Sequence, residues 1–251
     1  MALTINTLAG FRALTRRILY RRRLRKYRDL RFTRELISFP KSGRTWLRYA
    51  LHLLGVEEAI RFHHDGFEYS DPTRPALDFD FEARQQRVLC VDKVVYLERD
   101  PRDIMVSLYH HIIGRCQHIF KYHGTLSEFI RDPYFGASNL CEFRRQWNLI
   151  SSSGSVLCIG YEDLHHDFEK VIKTVMSYYE LSLPTIDLDE LTKKCSFRAM
   201  KEVEERGVFP EIWLRLQNRH PKMRRGEIGR FRDALCAHDI EFLDRTFGTT
   251  P

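Results

Sequence analysis

Apolar and polar positions along this chain follow two periods in turn, and together they predict strands alternating with helices. Leu36-Ile37-Ser38-Phe39 is a short, partly apolar run that ends at a loop containing Pro40 and Gly43. Over residues 45–54, Trp46, Leu47, Tyr49, Ala50, Leu53 and Leu54 recur at helical spacing, and Gly55 stops the pattern. The segment reads as strand, tight loop, helix. Residues 59–63 read as a short second strand. Residues 65–86 are polar, carry Pro72 and Pro75, and read as a long loop of the kind that is usually functional in a compact domain. Val94-Val95-Tyr96-Leu97 reads as a buried strand. Asp100 is a fitting N-cap and Pro101 a fitting first residue for the helix that follows, through Ile104, Met105, Leu108 and Tyr109. Residues 126–130 and 139–150 are helical in pattern, 156–159 form another strand ending at Gly160, and helices are expected over 168–179 and 189–194.

This order implies parallel β-α units: an α/β fold of three layers, with a mostly parallel central sheet and helices on both faces. No internal repeat is visible. In open α/β sheets ligands sit beyond the carboxyl ends of the strands. The loops after Phe39, Leu97 and Ile159 lie there, so they are expected to meet at one site.

Composition changes this picture little. At 251 residues, 43% hydrophobic and 30% charged, the chain suits one large soluble domain. It holds no apolar run of about 18 residues, the length a membrane-spanning helix needs. The cysteines (Cys90, Cys116, Cys141, Cys158, Cys195, Cys236) are scattered without a C-x-x-C pair. That pattern suits a reducing compartment, and a cytoplasmic location is expected.

Charge changes it more. The net +7 is uneven: residues 1–36 hold 11 of the 41 Lys/Arg and 2 of the 34 Asp/Glu, leaving 30 and 32, a balance of −2, for the rest. The basicity belongs to a helical arm over residues 1–35, and the domain over 36–251 is near neutral. No nucleic-acid partner is expected, because such enzymes carry their basic face on the body. In the arm, Leu8, Phe11, Leu14 and Ile18 recur at helical spacing among Arg12, Arg16, Arg17 and Arg21-Arg22-Arg23. Three readings stand for it: a helix packing one apolar edge on the domain, peripheral contact with anionic lipid, or an Arg-rich organellar transit peptide.

The loop after the first strand carries the clearest chemistry. Lys41, Ser42, Gly43, Arg44 and Thr45 stand just ahead of a helix, where backbone N–H groups bind anions. Gly43 allows close backbone approach, Lys41 adds a point charge and the hydroxyls add donors. The nucleotide-hydrolase order places lysine after the last glycine; here lysine comes first.

At this point the chain resembles the sulfotransferases that use 3′-phosphoadenosine 5′-phosphosulfate (PAPS). The run from Phe39 through Pro40-Lys41-Ser42-Gly43-Arg44-Thr45-Trp46 is similar to the family's 5′-phosphosulfate loop. The segment 94–110, V-V-Y-L-E-R-D-P-R-D-I-M-V-S-L-Y-H, resembles its 3′-phosphate segment, with Arg99 ending the strand and Ser107 eight residues on. Tyr161-Glu162-Asp163-Leu164 resembles the tyrosine loop. Cys195-Ser196-Phe197 through Met200-Lys201 resembles the adenine-side segment, and Arg224-Arg225-Gly226 with Gly229 resembles the late loop that closes over the 3′-phosphate. These motifs span residues 37–232 in the family's order.

The resemblance implies a P-loop-hydrolase-like sulfotransferase fold, PAPS as co-substrate and 3′-phosphoadenosine 5′-phosphate (PAP) as product, with no metal. Lys41 would serve one end of the nucleotide, and Arg99, Ser107, Arg224 and Arg225 the other. Trp46 and Phe197 would face adenine, with Tyr161 and Ser196 as polar contacts and Gly226 in the closing loop. Core packing is the other reading of Trp46 and Phe197. Lys41 would stabilise the leaving phosphate, with Ser42 steering it, and a histidine would act as base. Of His63 and His64, His64 is favoured, because His64-Asp65-Gly66 looks like the pattern of bacterial-type members; Arg61-Phe62-His63 is the competing match. His110 and His111 are expected at the acceptor pocket or surface, and His165 and His166 on an exposed turn.

The chain departs from the vertebrate pattern at Arg44, where those members carry threonine, at Cys195, where a hydroxyl is common, and at Arg225. The stretch from Lys41 to His64 is also short. The acceptor is expected to be a small molecule, glycan or lipid; aromatics in the flanking loops (Phe67, Tyr69, Phe79, Phe81, Phe120, Tyr122) hint at a ring. Two other classes compete. A nucleotide kinase or hydrolase would need magnesium ligands and the G-K-[ST] order, and neither is found. A non-catalytic nucleotide-binding protein would have no need of a base.

Overall fold

A computed structural model describes residues 34–67 and 80–248. Four strands form one sheet: β1 (Arg34–Ser38), β2 (Arg61–His63), β3 (Lys93–Glu98) and β4 (Val156–Gly160), ordered β2-β1-β3-β4 and parallel throughout. The central strands are apolar on both faces because both are covered. Leu36, Val95 and Leu97 point to one side, where they pack with Leu47, Ala50 and Leu51 and with Ile172 and Val175. Ile37 and Tyr96 point to the other, against Phe143 and Trp147. Tyr96 stacks on Trp147 with ring centroids 5.6 Å apart, and Trp147 is wholly buried.

The helices are α1 (Arg44–Leu53), α2 (Phe81–Val88), α3 (Pro101–Ile113), α4 (Gln117–Phe120), α5 (Leu126–Phe129), α6 (Ala137–Ser151), α7 (Tyr161–His166), α8 (Phe168–Tyr178), α9 (Leu188–Lys194), α10 (Phe197–Arg206), α11 (Phe231–Ala234) and α12 (Ala237–Phe247). α3 begins as the sequence implies: Asp100 accepts from the Arg102 N–H at 2.9 Å, and Pro101 takes the first position. The α/β class, the parallel sheet and helices on both faces agree with the sequence reading.

Three differences have physical causes. Residues 81–88, read as part of a loop, form α2, capped by Asp80 on the Ala83 N–H at 3.0 Å. Its pattern looked polar because Arg84 faces inward, where its Nε donates to Asp65 at 2.6 Å. The second strand starts at Arg61, after a 3-10 turn over Glu57–Ala59. His165 and His166 end the short helix α7 instead of a turn. β1 begins at Arg34, so that strand takes in Arg34 and Glu35, while the basic arm lies outside the described residues.

Loop aromatics mostly hold loops down. Phe67 is buried between Phe39 (4.8 Å) and Phe143 (5.1 Å). Phe120 and Tyr122 pack on Phe135 at 5.1 and 5.7 Å, and Phe81 packs against the same core. Tyr69 and Phe79 lie outside the described residues. With β1 between β2 and β3, the strand order reverses at the β1/β3 boundary while all strands stay parallel, and there α/β sheets open a crevice.

Candidate functional site

The crevice holds a cavity of about 330 Å³. Each of its walls follows from one strand end. The loop after β1 supplies Lys41, Gly43, Arg44, Thr45 and Trp46; β2 runs into His64; β3 runs into Arg99 and then Ser107 on α3; β4 runs into Tyr161. Phe197 on α10 and Arg224, Arg225 and Gly226 of a late loop complete it.

Two glycines let these walls meet. Gly43 (φ 95°) would place a Cβ 2.3 Å from the Tyr161 ring, and Gly226 (φ 69°) one 2.3 Å from the Phe197 ring. Side chains at these positions would be excluded both by space and by left-handed backbone. Lys41 is itself held in the left-handed region at φ 76°.

Arg99 ties the walls together. It donates to the Lys41 carbonyl at 3.3 Å and to the Glu227 carbonyl at 3.0 Å, lies over the Tyr161 ring at 4.2 Å, and pairs with Asp103 at 3.6 Å. Asp103 is buried and also accepts from the N–H groups of Gly229 (2.7 Å) and Phe231 (3.0 Å), so one carboxylate pins the late loop to α3.

The cations crowd one another. Burial holds the Lys41 ammonium well below the usual lysine range, helped by Lys222, Arg115, Arg99 and Arg224. Burial lowers Arg224, and then Arg225 and Arg99 do. Lys222 is pushed down to about 8 by burial, then by Arg115 and Arg44. His111 falls to about 2 through burial and the nearby Lys41, and His110 to about 4 through burial and Arg224. So much positive charge in one half-closed cavity makes it a site for a polyanion. The charge divides into two ends. Arg225, Arg99 and Arg230 act on Arg224 at one end. Arg44 and Lys222 act on His64 at the other. Lys41 senses Lys222 from one end and Arg99 and Arg224 from the other.

The paired histidines part company. His64 lines the cavity; its Nδ1 donates to the Ser38 carbonyl at 2.8 Å, and its Nε2 accepts from Arg44 at 2.6 Å. A carbonyl only accepts and a guanidinium only donates, so the ring is neutral with its proton on Nδ1. Burial, then Arg44, holds its pKa well below the ordinary histidine value. His63 points away: its Nε2 meets Glu35 at 3.0 Å and its Nδ1 accepts from the Asp65 N–H at 3.2 Å. Arg61 joins the same Glu35 at 3.5 Å, outside the cavity. Asp65 does not reach either imidazole with its carboxylate; it holds Arg84, Arg87 and the Trp147 N–H at 2.6, 2.6 and 3.0 Å.

Lys41, Gly43, Arg44, Thr45, Trp46, His64, Arg99, Ser107, Tyr161, Phe197, Arg224, Arg225 and Gly226 are thus brought to one cavity. Ser42, His63 and Ser196 are not among its lining residues. Ser42 is buried, and the Ser196 hydroxyl accepts from the Ala199 N–H at 3.3 Å as the N-cap of α10. Its neighbour Cys195 lines the cavity instead. Trp46 lines the cavity and also stacks on Phe168 at 5.7 Å. Met200, in the adenine-side segment, lines the cavity too; sequence reading gave no role to Lys222, Asp103, Met223 and Arg230, and placed His165 on an exposed turn, whereas His165 packs on Trp46 at 4.8 Å. Asp103 lies within the segment 94–110, Lys222 and Met223 just before the Arg224-Arg225-Gly226 motif, and Arg230 just after Gly229. Among the described residues no cluster of three or more His, Cys, Asp or Glu could hold a metal ion, and no helix is long and apolar enough to cross a membrane.

The family model described as the sulfotransferase domain matches residues 90–250. The chain belongs to the sulfotransferase family. The match begins after the Lys41 loop, but whole-chain relatives reach across it. The sulfotransferase is 25% identical over 241 residues to sulfotransferase 1C2 of Rattus norvegicus, covering 84% of this chain and 80% of that one. It is 22% identical over 238 residues to the amine sulfotransferase of Oryctolagus cuniculus, covering 84% and 78%. In fold it is similar to mouse sulfotransferase SULT7A1 complexed with PAP, with TM-score 0.59, 18% identity and coverage of 85% and 81%. It is also similar to retinol dehydratase in complex with retinol and PAP, with TM-score 0.59, 15% identity and coverage of 85% and 79%.

Proposed function

We propose that this sulfotransferase moves a sulfuryl group from PAPS to the hydroxyl of a small-molecule acceptor, with His64 as base and Lys41 at the leaving group. The observation that carries the reading is one cavity lined by Lys41, Arg44, Arg99, Lys222, Arg224 and Arg225, with the neutral imidazole of His64 in its wall. PAPS has the matching charge pattern, a phosphate at one end of an adenosine and a phosphosulfate at the other. Solved relatives in complex with PAP support it.

The chemistry follows from the residues. Arg99, Arg224 and Arg225, with the Ser107 hydroxyl, would hold the 3′-phosphate, because planar guanidinium groups donate to phosphate in pairs. Phe197 and Trp46 would flank adenine. The acceptor oxygen forms a bond to sulfur as the bond from sulfur to the bridging phosphate oxygen breaks, in line with it. The acceptor proton passes to Nε2 of His64, whose Nδ1 proton is already committed to Ser38. The electron pair leaves on the 5′-phosphate of PAP, where the Lys41 ammonium stabilises it. His63 is not given the task, because it does not line the cavity and its ring turns to Glu35 and the Asp65 backbone.

A PAPS assay over a panel of hydroxylated and amine acceptors, together with PAP melting shifts, tests the reading. Sulfated product and a Tm raised by PAP are expected. Neither product nor a PAP shift would overturn it.

A further inference from the structure

The late loop of the cavity, Arg224-Arg225-Gly226, is held by a buried carboxylate on each side. Asp103 holds its far foot through the N–H groups of Gly229 (2.7 Å) and Phe231 (3.0 Å). Glu204, wholly buried on α10, holds the near foot. It accepts from the backbone N–H of Lys222 and from that of Met223 at 2.9 Å. Neither the chemistry of transfer nor the lining of the cavity uses Glu204.

Each carboxylate is matched by an arginine. Asp103 pairs with Arg99 at 3.6 Å, and Glu204 pairs with the buried Arg115 at 3.3 Å. A carboxylate this deep needs such a partner, because an unpaired charge in the interior is strongly destabilising. Arg115 stands in the turn between α3 and α4. Its Nη1 also reaches the carbonyls of Arg215 (2.9 Å) and His220 (3.2 Å). Those carbonyls lie on either side of a tight reversal, in which the N–H groups of Gln217 and His220 donate to each other's carbonyls at 3.2 and 2.8 Å. Asn218 and Arg219 turn the chain there at φ 50° and 61°. The Asn218 amide donates to the Arg115 carbonyl at 2.8 Å. Residues 215–223 are therefore docked on the segment after α3 before the chain enters the cavity.

This double anchorage has a consequence for binding. Flexible arginines lose freedom when they grasp a phosphate, and that loss weakens affinity. A loop fixed at both feet has lost most of that freedom on folding, so its guanidinium groups meet the phosphate already in place. We propose that Glu204, paired with Arg115, is a positioning residue for the 3′-phosphate: it orders the near foot of the loop so that Arg224 and Arg225 are set before the nucleotide arrives. The inference rests on the PAPS reading, with Arg224 and Arg225 at the 3′-phosphate.

The test compares PAP with adenosine 5′-phosphate, which lacks the 3′-phosphate, by calorimetry on the full chain. Wild type should bind PAP about ten-fold or more tighter, because the 3′-phosphate gains charge-assisted hydrogen bonds. Glu204→Gln should remove most of that preference while affinity for adenosine 5′-phosphate stays within about two-fold. In an Arg224→Ala, Arg225→Ala background the same change should leave the preference unaltered, since Glu204 acts through those arginines. Asn218→Gly keeps the left-handed turn at an exposed position but removes the dock on Arg115, and it should lower the preference in the same direction. A Glu204→Gln variant with lowered Tm and the full wild-type preference would overturn the inference, because Glu204 would then serve stability alone. If Glu204→Gln does not fold, Asn218→Gly decides, and an unchanged preference in it would overturn the inference. Equal wild-type affinity for the two nucleotides would instead remove the parent reading, and this one with it.

Discussion

Arg44 donates a 2.6 Å hydrogen bond to Nε2 of His64, and with the Ser38 carbonyl on Nδ1 it fixes the imidazole as a neutral ring with its basic nitrogen facing the cavity. A cation so close opposes protonation. The sign follows: a histidine pKa held below its ordinary value leaves the ring unprotonated, and ready as a base, through the whole neutral range. In Arg44→Gln one depressing charge is gone, so the His64 pKa should rise toward 6.5. NMR titration of the ring in the free enzyme checks this; an unchanged pKa would mean that burial alone sets it.

The two histidines should separate by phenotype. His64→Ala should reduce kcat by about 10²-fold or more while PAP affinity holds, since the ring is assigned to proton transfer. His63→Ala should act on stability, because it strips the buried Glu35 of its 3.0 Å partner. Turnover and Tm measured on both variants decide the matter. Loss of turnover in His63→Ala at unchanged Tm would reverse the assignment.

Lys41→Ala should cut kcat by about 10²-fold or more if the ammonium meets charge building on the leaving oxygen. Single-turnover rates at saturating PAPS read that step apart from binding. A loss confined to KM would place Lys41 in ground-state binding instead.

Gly43→Ala should disable the nucleotide loop. The new Cβ would fall 2.3 Å from the Tyr161 ring at a φ of 95°. Strain of this kind costs about 1–3 kcal/mol, and relief requires the loop or Tyr161 to move. A lower Tm and at least ten-fold weaker PAP binding are expected by scanning fluorimetry and calorimetry.

Asp65→Asn should destabilise the protein by about 3 kcal/mol, since it leaves the buried Arg84 and the half-buried Arg87 without their shared carboxylate. Salt links to these arginines hold the Asp65 carboxyl below its ordinary range against the opposing effect of burial, and His63 and Arg87 do the same for Glu35. Groups lowered in this way stabilise the fold above the unfolded carboxylate pKa and lose that contribution as pH falls through the folded value. Chemical denaturation at neutral and acid pH should show the wild type losing stability on acidification and Asp65→Asn losing less.

Much of this protein was legible in one dimension. The strand, loop and helix around Lys41 could be read because a buried parallel strand is apolar throughout, a helix repeats its apolar face, and Gly43 marks the turn between them. Arg99, Ser107, Tyr161, Phe197 and Arg224 could be placed because each stands at a strand end or in a motif whose spacing survives in the sequence. What only tertiary structure decided depends on charge meeting charge across distant segments. Which of His63 and His64 lines the cavity turned on Ser38 and Glu35 of β1 and Arg44 of α1, all distant from the pair in sequence. Helix α2 stayed hidden because its inward arginine looks polar until Asp65 is set opposite it. Lys222 gave no signal of its own: a lysine after a proline reads as surface until Glu204, eighteen residues earlier, accepts from its backbone N–H and leaves its ammonium in the cavity.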